Sequence, residues 1–89
     1  MTKKLIKVKE AKYINDYKIQ LSFSDGLTSI VDLKDEIYGE VFEPLKEIEY
    51  FKSFTQDRWT IGWNCGADFA PEFLYELARK SEVDRLSIN

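Results

Sequence analysis

No histidine occurs among the 89 residues, and Cys65 is the sole cysteine. Without histidine the chain lacks the commonest general base, the commonest metal ligand and the usual middle member of a catalytic triad. A single cysteine forms no intramolecular disulfide and no thiolate zinc cluster, a pattern that fits an intracellular protein. No apolar run approaches the ~20 residues that span a bilayer, and the start, "MTKKLIKVKE", is basic without the apolar core of a signal peptide. Glycine-rich phosphate loops and calcium-binding loops are also missing. These absences predict a cytoplasmic protein with no membrane association, no cofactor and no catalytic or metal-binding residues.

Apolar and aromatic residues, by contrast, are plentiful. Hydrophobic residues make up 44% and aromatics 15%, including six Phe, five Tyr and two Trp. A disordered chain is poor in such residues, so one packed domain over residues 1–89 is expected. The net charge is -3 and unevenly placed: residues 1–18 hold six Lys against two acids. An acidic total argues against direct nucleic-acid binding, which depends on phosphate neutralisation. The segregated charge suits contact with a charged partner at either end.

Periodicity predicts an α+β fold. Ile6 and Val8 alternate with Lys7 and Lys9, and Tyr17, Ile19, Leu21 and Phe23 alternate with Lys18, Gln20 and Ser22. Both are strand patterns with one solvated face. "IND" at 14–16 and "SDG" at 24–26 are turn signals, the latter a hairpin signal because Asp and Gly tolerate positive φ. With Leu27 to Asp32 the three strands form an antiparallel meander. Gly39 and Pro44 break residues 32–54 into short helical turns, one near 46–52. Strand character returns at 54–64, with Trp59, Ile61 and Trp63 on one face. Pro71 then opens a helix with an apolar stripe of Phe73, Leu74, Leu77 and Ala78. Arg79 and Lys80 are placed near its C-terminus, where the dipole favours cations. The expected architecture is a small antiparallel sheet, the meander plus a later strand, packed against short helices and the C-terminal helix.

Chemistry concentrates in "WNCGADFAPEFLYE", residues 63–76. One reading is a strand-to-helix corner hinged at Gly66 and tied by Asp68, whose carboxylate accepts backbone N–H groups in an Asx-type turn. The other makes Asp68 a polar anchor in a groove walled by Trp63 and Phe69. Asp68 paired with Asp32 or Asp57 would suit a small-molecule or metal site, with hydrolysis in reach. Cys65 lacks a histidine to activate it and reads as incidental. Lys3, Lys4, Lys7, Lys9 and Lys12 form either a basic binding stripe or protection of a sheet edge.

"LSFSDG", "IVDLKDEI", "GEVFEPLKEIEYFKSF" and "IGWNCGADFAPEFLYE" stand in the order and spacing of a bacterial family, domain of unknown function 2442, and the chain resembles it over roughly residues 5–77. The combined motifs are a Phe-x-Asp-Gly hairpin, a Phe-x-Pro-Leu segment and Trp-x-x-Gly-Ala-Asp before a Pro-Glu-x-Leu-Tyr helix. The resemblance implies a small α+β domain, from a family for which no enzymatic activity is established. It also implies a neighbouring gene for a second small protein, in an arrangement similar to toxin–antitoxin pairs. It carries over no catalytic residues, so Trp63, Gly66, Asp68, Pro71 and Tyr75 enter as motif positions. The reading that follows is a protein-interaction module with a protein partner encoded nearby, contacted through Lys7 and Lys9 or through the 63–70 corner. Homo-oligomerisation stays open.

Overall fold

A computed structural model describes residues 6–56 and 59–87. Three strands, β1 (Val8–Asn15), β2 (Lys18–Phe23) and β3 (Thr28–Asp32), form an antiparallel meander in the order β1-β2-β3. The expected alternation sets its inner face: Ile19, Leu21, Phe23 and Val31 are buried, with Ile19 paired to Val31 across the ladder. Asp16 takes positive φ at the first turn. At the second, Gly26 sits at φ +98° while Phe23 N–H and the Leu27 carbonyl close the loop at 2.8 Å. Asp25 caps that loop by accepting the Leu27 N–H, 3.0 Å. This is a three-residue hairpin loop with glycine at the left-handed position.

Between sheet and C-terminal helix the chain makes two 3-10 turns, Lys34–Glu36 and Glu40–Lys46, and one turn of α-helix, α1 (Ile48–Phe51). Their function is packing. Leu33, Ile37, Leu45 and Phe51 are buried against the sheet, and full burial of such a side chain contributes roughly 1.5–3 kcal/mol. The Tyr17 hydroxyl donates to the Lys46 carbonyl, and the Tyr17 ring meets Phe51 edge-on at 5.1 Å. That joins the β1–β2 turn to the helical segment.

The later strand does not join the meander. Thr55–Gln56 (β4) and Ile61–Gly62 (β5) make a separate two-stranded ribbon. Ile61 and Trp63 are buried as the alternation requires, but Trp59 is 39% exposed. Thr60 is buried in its place because its hydroxyl donates to the Phe69 carbonyl at 2.7 Å. The chain therefore bends between Trp59 and Ile61, and the strand pattern breaks there.

Helix α2 (Pro71–Ser87) begins at the proline as anticipated and packs on β3. Leu74 and Ala78 are fully buried, Leu77 is half-buried, and Phe73 lies at the margin. The helix continues well past Lys80, so Arg79 and Lys80 lie in its middle and not at its C-terminus. Among the described residues no helix is long and apolar enough to cross a membrane.

Candidate functional site

The 63–70 corner is held by backbone and core. Trp63 N–H donates to the Ala67 carbonyl at 2.9 Å, Gly66 N–H to the Trp63 carbonyl at 3.0 Å, and Gly66 adopts φ +98°. A side chain is strained at that φ, which explains glycine at the hinge. Trp63 is buried, and its Nε1–H donates to the Phe51 carbonyl at 2.7 Å inside the core. It walls no groove. Phe69 is buried too, stacked between Phe42 at 5.0 Å and Phe73 at 5.7 Å.

Asp68 departs from expectation. Its backbone bridges Gly62, but among the described residues its exposed carboxylate accepts no hydrogen bond. The bend is tied by Thr60 instead, through the buried bond to Phe69. Asx-type bonds occur elsewhere, at Asp25 and at Asp32, which accepts the Lys34 N–H at 3.0 Å. Asp68 does border a shallow groove of about 400 Å³, with Ile6, Trp59, Phe69, Pro71 and Glu72. Asp32 lines other hollows, with Lys18, Leu77 and Lys80 or with Asp16 and Lys34. Asp68 and Asp32 thus line different hollows, and Asp57 lies outside the described residues. No trio of His, Cys, Asp or Glu is arranged to hold a metal among the described residues.

Cys65 is exposed, its Sγ 3.7 Å from the Val41 carbonyl. A hydrogen bond with its thiol, aided by partial loss of water, pushes the Tyr50 phenol above the ordinary tyrosine range. Tyr75 is raised as well, chiefly because its hydroxyl donates to Asp25. That contact links two motif segments, the Asp-Gly hairpin and the Pro-Glu-x-Leu-Tyr helix. Together with buried Leu45 and the Phe42–Phe69 stack, it makes the shared motifs fold-building residues.

The first strand offers a different kind of surface. Sequence order puts β1 at one edge of the sheet. The ladder to β3 uses the odd positions of β2, since Leu33 N–H reaches the Tyr17 carbonyl and Phe23 N–H reaches that of Leu27. Hydrogen bonding alternates along an antiparallel ladder. Ser22 and Gln20 therefore face β1, opposite Glu10 and Lys12. Ala11 and Tyr13 consequently turn their N–H and C=O groups outward. The pairing slips at Lys9, between Val8↔Phe23 and Glu10↔Ser22, which is a β-bulge.

That bulge is capped. Gln56 Nε2 donates to the carbonyls of Lys9 at 2.7 Å and Val8 at 3.2 Å, and Val8 N–H donates to the Trp59 carbonyl at 2.7 Å. Among the described residues the ribbon thus seals the start of the β1 edge, and no backbone group pairs with the outward side of Ala11 or Tyr13. Lysines divide accordingly. Lys7 is half-buried with its Nζ 4.7 Å from the Trp59 ring centre, a cation–π contact, whereas Lys9 and Lys12 are exposed. Lys3 and Lys4 lie outside the described residues. Alternation in the sequence pointed to β1 as a lysine-bearing strand. Gln56 and Thr60 carried no signal, because each acts through one long-range bond to a backbone carbonyl.

No curated protein and no solved structure matches this chain. A family model described as protein of unknown function (DUF2442) matches residues 8–80. The match runs from the first residue of β1 to the middle of α2, taking in the capped bulge, the Trp63 corner and the Tyr75 contact, and the chain belongs to that family.

Proposed function

We propose that this domain is a non-catalytic protein-interaction module that receives a partner along the open edge of β1. The observation that carries the reading is the outward-facing backbone of Ala11 and Tyr13, flanked by exposed Lys9 and Lys12. Strand addition draws affinity from main-chain hydrogen bonds and selectivity from neighbouring side chains. Exposed lysines favour an acidic partner and speed its approach. The setting that fits is the cytoplasm of a bacterial cell, with the partner encoded by a neighbouring gene and neutralised or regulated by this domain in an antitoxin-like manner.

Co-expression with the neighbouring gene product, followed by purification through a tag on one chain and light scattering, tests the reading. A complex of defined stoichiometry is expected. It should weaken by roughly tenfold for a Lys9→Glu, Lys12→Glu double variant, and weaken further as salt rises. Elution of each protein alone, at every salt concentration, removes the proposal.

A further inference from the structure

The open edge also carries a rule about what it accepts. Resting on the reading of β1 as a docking edge, we infer that this edge discriminates against a second copy of the chain and selects a partner strand with a carboxylate opposite Lys12. Among the described residues, the regular part of the edge presents the outward backbone groups of Ala11 and Tyr13, because Gln56 and Trp59 close it at Val8 and Lys9 and the pairing slips again between Tyr13 and Asn15. Two copies pairing antiparallel can use all four of those groups in one register, with Ala11 of each opposite Tyr13 of the other. Centring the pair on Ala11 instead would set Tyr13 against the sealed Lys9 carbonyl.

That register has its two-fold axis at Lys12. The two Lys12 residues would then form a non-hydrogen-bonded pair, with Cα atoms about 4.5 Å apart. Like charges directly opposite one another destabilise a strand pair. Lys12 is exposed, and no ion pair neutralises it among the described residues. The register that satisfies the backbone therefore sets the two Lys12 side chains against each other at its centre. An Asp or Glu at the facing position of another protein turns the same contact into attraction.

Analytical ultracentrifugation of the wild type, of Lys12→Glu and of their equimolar mixture tests this directly. Each protein alone should sediment as a monomer, since each would pair like charges. The mixture should form a one-to-one dimer, with an affinity about tenfold above either self-association, and salt should weaken it. Replacing the wild type in the mixture by Ala11→Pro removes an outward N–H and should abolish the dimer, while edge strands tolerate proline so placed. Lys12→Asp provides a second carboxylate should Lys12→Glu fold poorly. A mixture that stays monomeric overturns the inference, and so does a wild-type dimer that Ala11→Pro abolishes. The readout does not involve the neighbouring gene product, so failure here is distinct from failure to co-purify a partner.

Discussion

Tyr75 in the first turns of α2 donates its hydroxyl to Asp25 in the β2–β3 hairpin, 50 residues earlier in the chain. Asp25 simultaneously accepts the Leu27 N–H at 3.0 Å, and the Tyr75 ring meets Phe23 edge-on at 5.1 Å. One carboxylate therefore fixes the loop that ends the sheet and docks the helix onto it. Neither residue needs a ligand to account for its place in the shared motif.

Tyr75→Phe separates the two parts of that contact. The ring stays against Phe23 while the hydroxyl is lost, so a lower unfolding midpoint in urea is expected with an unchanged slope. The pH dependence has a definite sign. Asp25 raises the Tyr75 phenol above its ordinary value, mainly through the hydrogen bond, with Arg79 opposing. A raised acid keeps its proton longer when folded, so the contribution is complete below about pH 10 and fades as pH rises through the folded value. The stability gap between wild type and Tyr75→Phe should be flat near neutrality and close in alkali. A gap that widens in alkali contradicts this account.

Trp63 anchors the centre of the core. Its indole N–H satisfies the Phe51 carbonyl at 2.7 Å, and its ring contacts Phe51, Phe54 and Phe69. Trp63→Phe removes the donor and leaves a small void. A loss of about 2–4 kcal/mol is expected from chemical denaturation. A loss below ~1 kcal/mol would mean that the core collapses onto the smaller ring.

Much of this arrangement was legible where the signals are local. The β2 alternation, the Asp-Gly turn and Pro71 at the start of α2 each act through neighbouring residues, and each forms as predicted. Trp59 departs from the periodic pattern, which assumes a continuous strand, because Thr60 bends the chain by bonding Phe69. Helix α2 extends past Lys80 without a continuing stripe in the sequence, since Ser81, Glu82 and Arg85 follow Leu74 and Ala78 at helical spacing. At the candidate site, the lysines advertised an edge strand. Its closure at one end depends on Gln56, which reaches back 47 residues to Lys9, and strand patterning contains no trace of that bond.

Gly66→Ala isolates the cost of the hinge. An added Cβ meets nothing within 4 Å, so any penalty comes from φ +98° alone. About 1–2 kcal/mol of destabilisation is expected by urea unfolding. Gly62→Ala differs in kind: its Cβ would lie 3.3 Å from the Ala67 carbonyl at ordinary φ. Crystallography of the two variants should show a shifted 62–67 backbone for Gly62→Ala only.

The corner also permits a direct comparison of its two polar residues. Asp68 is exposed and its carboxylate accepts nothing among the described residues, so Asp68→Ala should change stability by no more than ~0.5 kcal/mol. Thr60→Val keeps the shape but deletes the buried donor to the Phe69 carbonyl. A carbonyl left unpaired in the core costs about 1–3 kcal/mol, so the Val variant should unfold at distinctly lower urea. A loss for Asp68→Ala as large as that for Thr60→Val would return Asp68 to the role of tying the bend. If instead Asp68→Ala is silent and Thr60→Val is costly, the exposed carboxylate has no structural duty, and its presence beside the Trp59 groove becomes a question of binding alone.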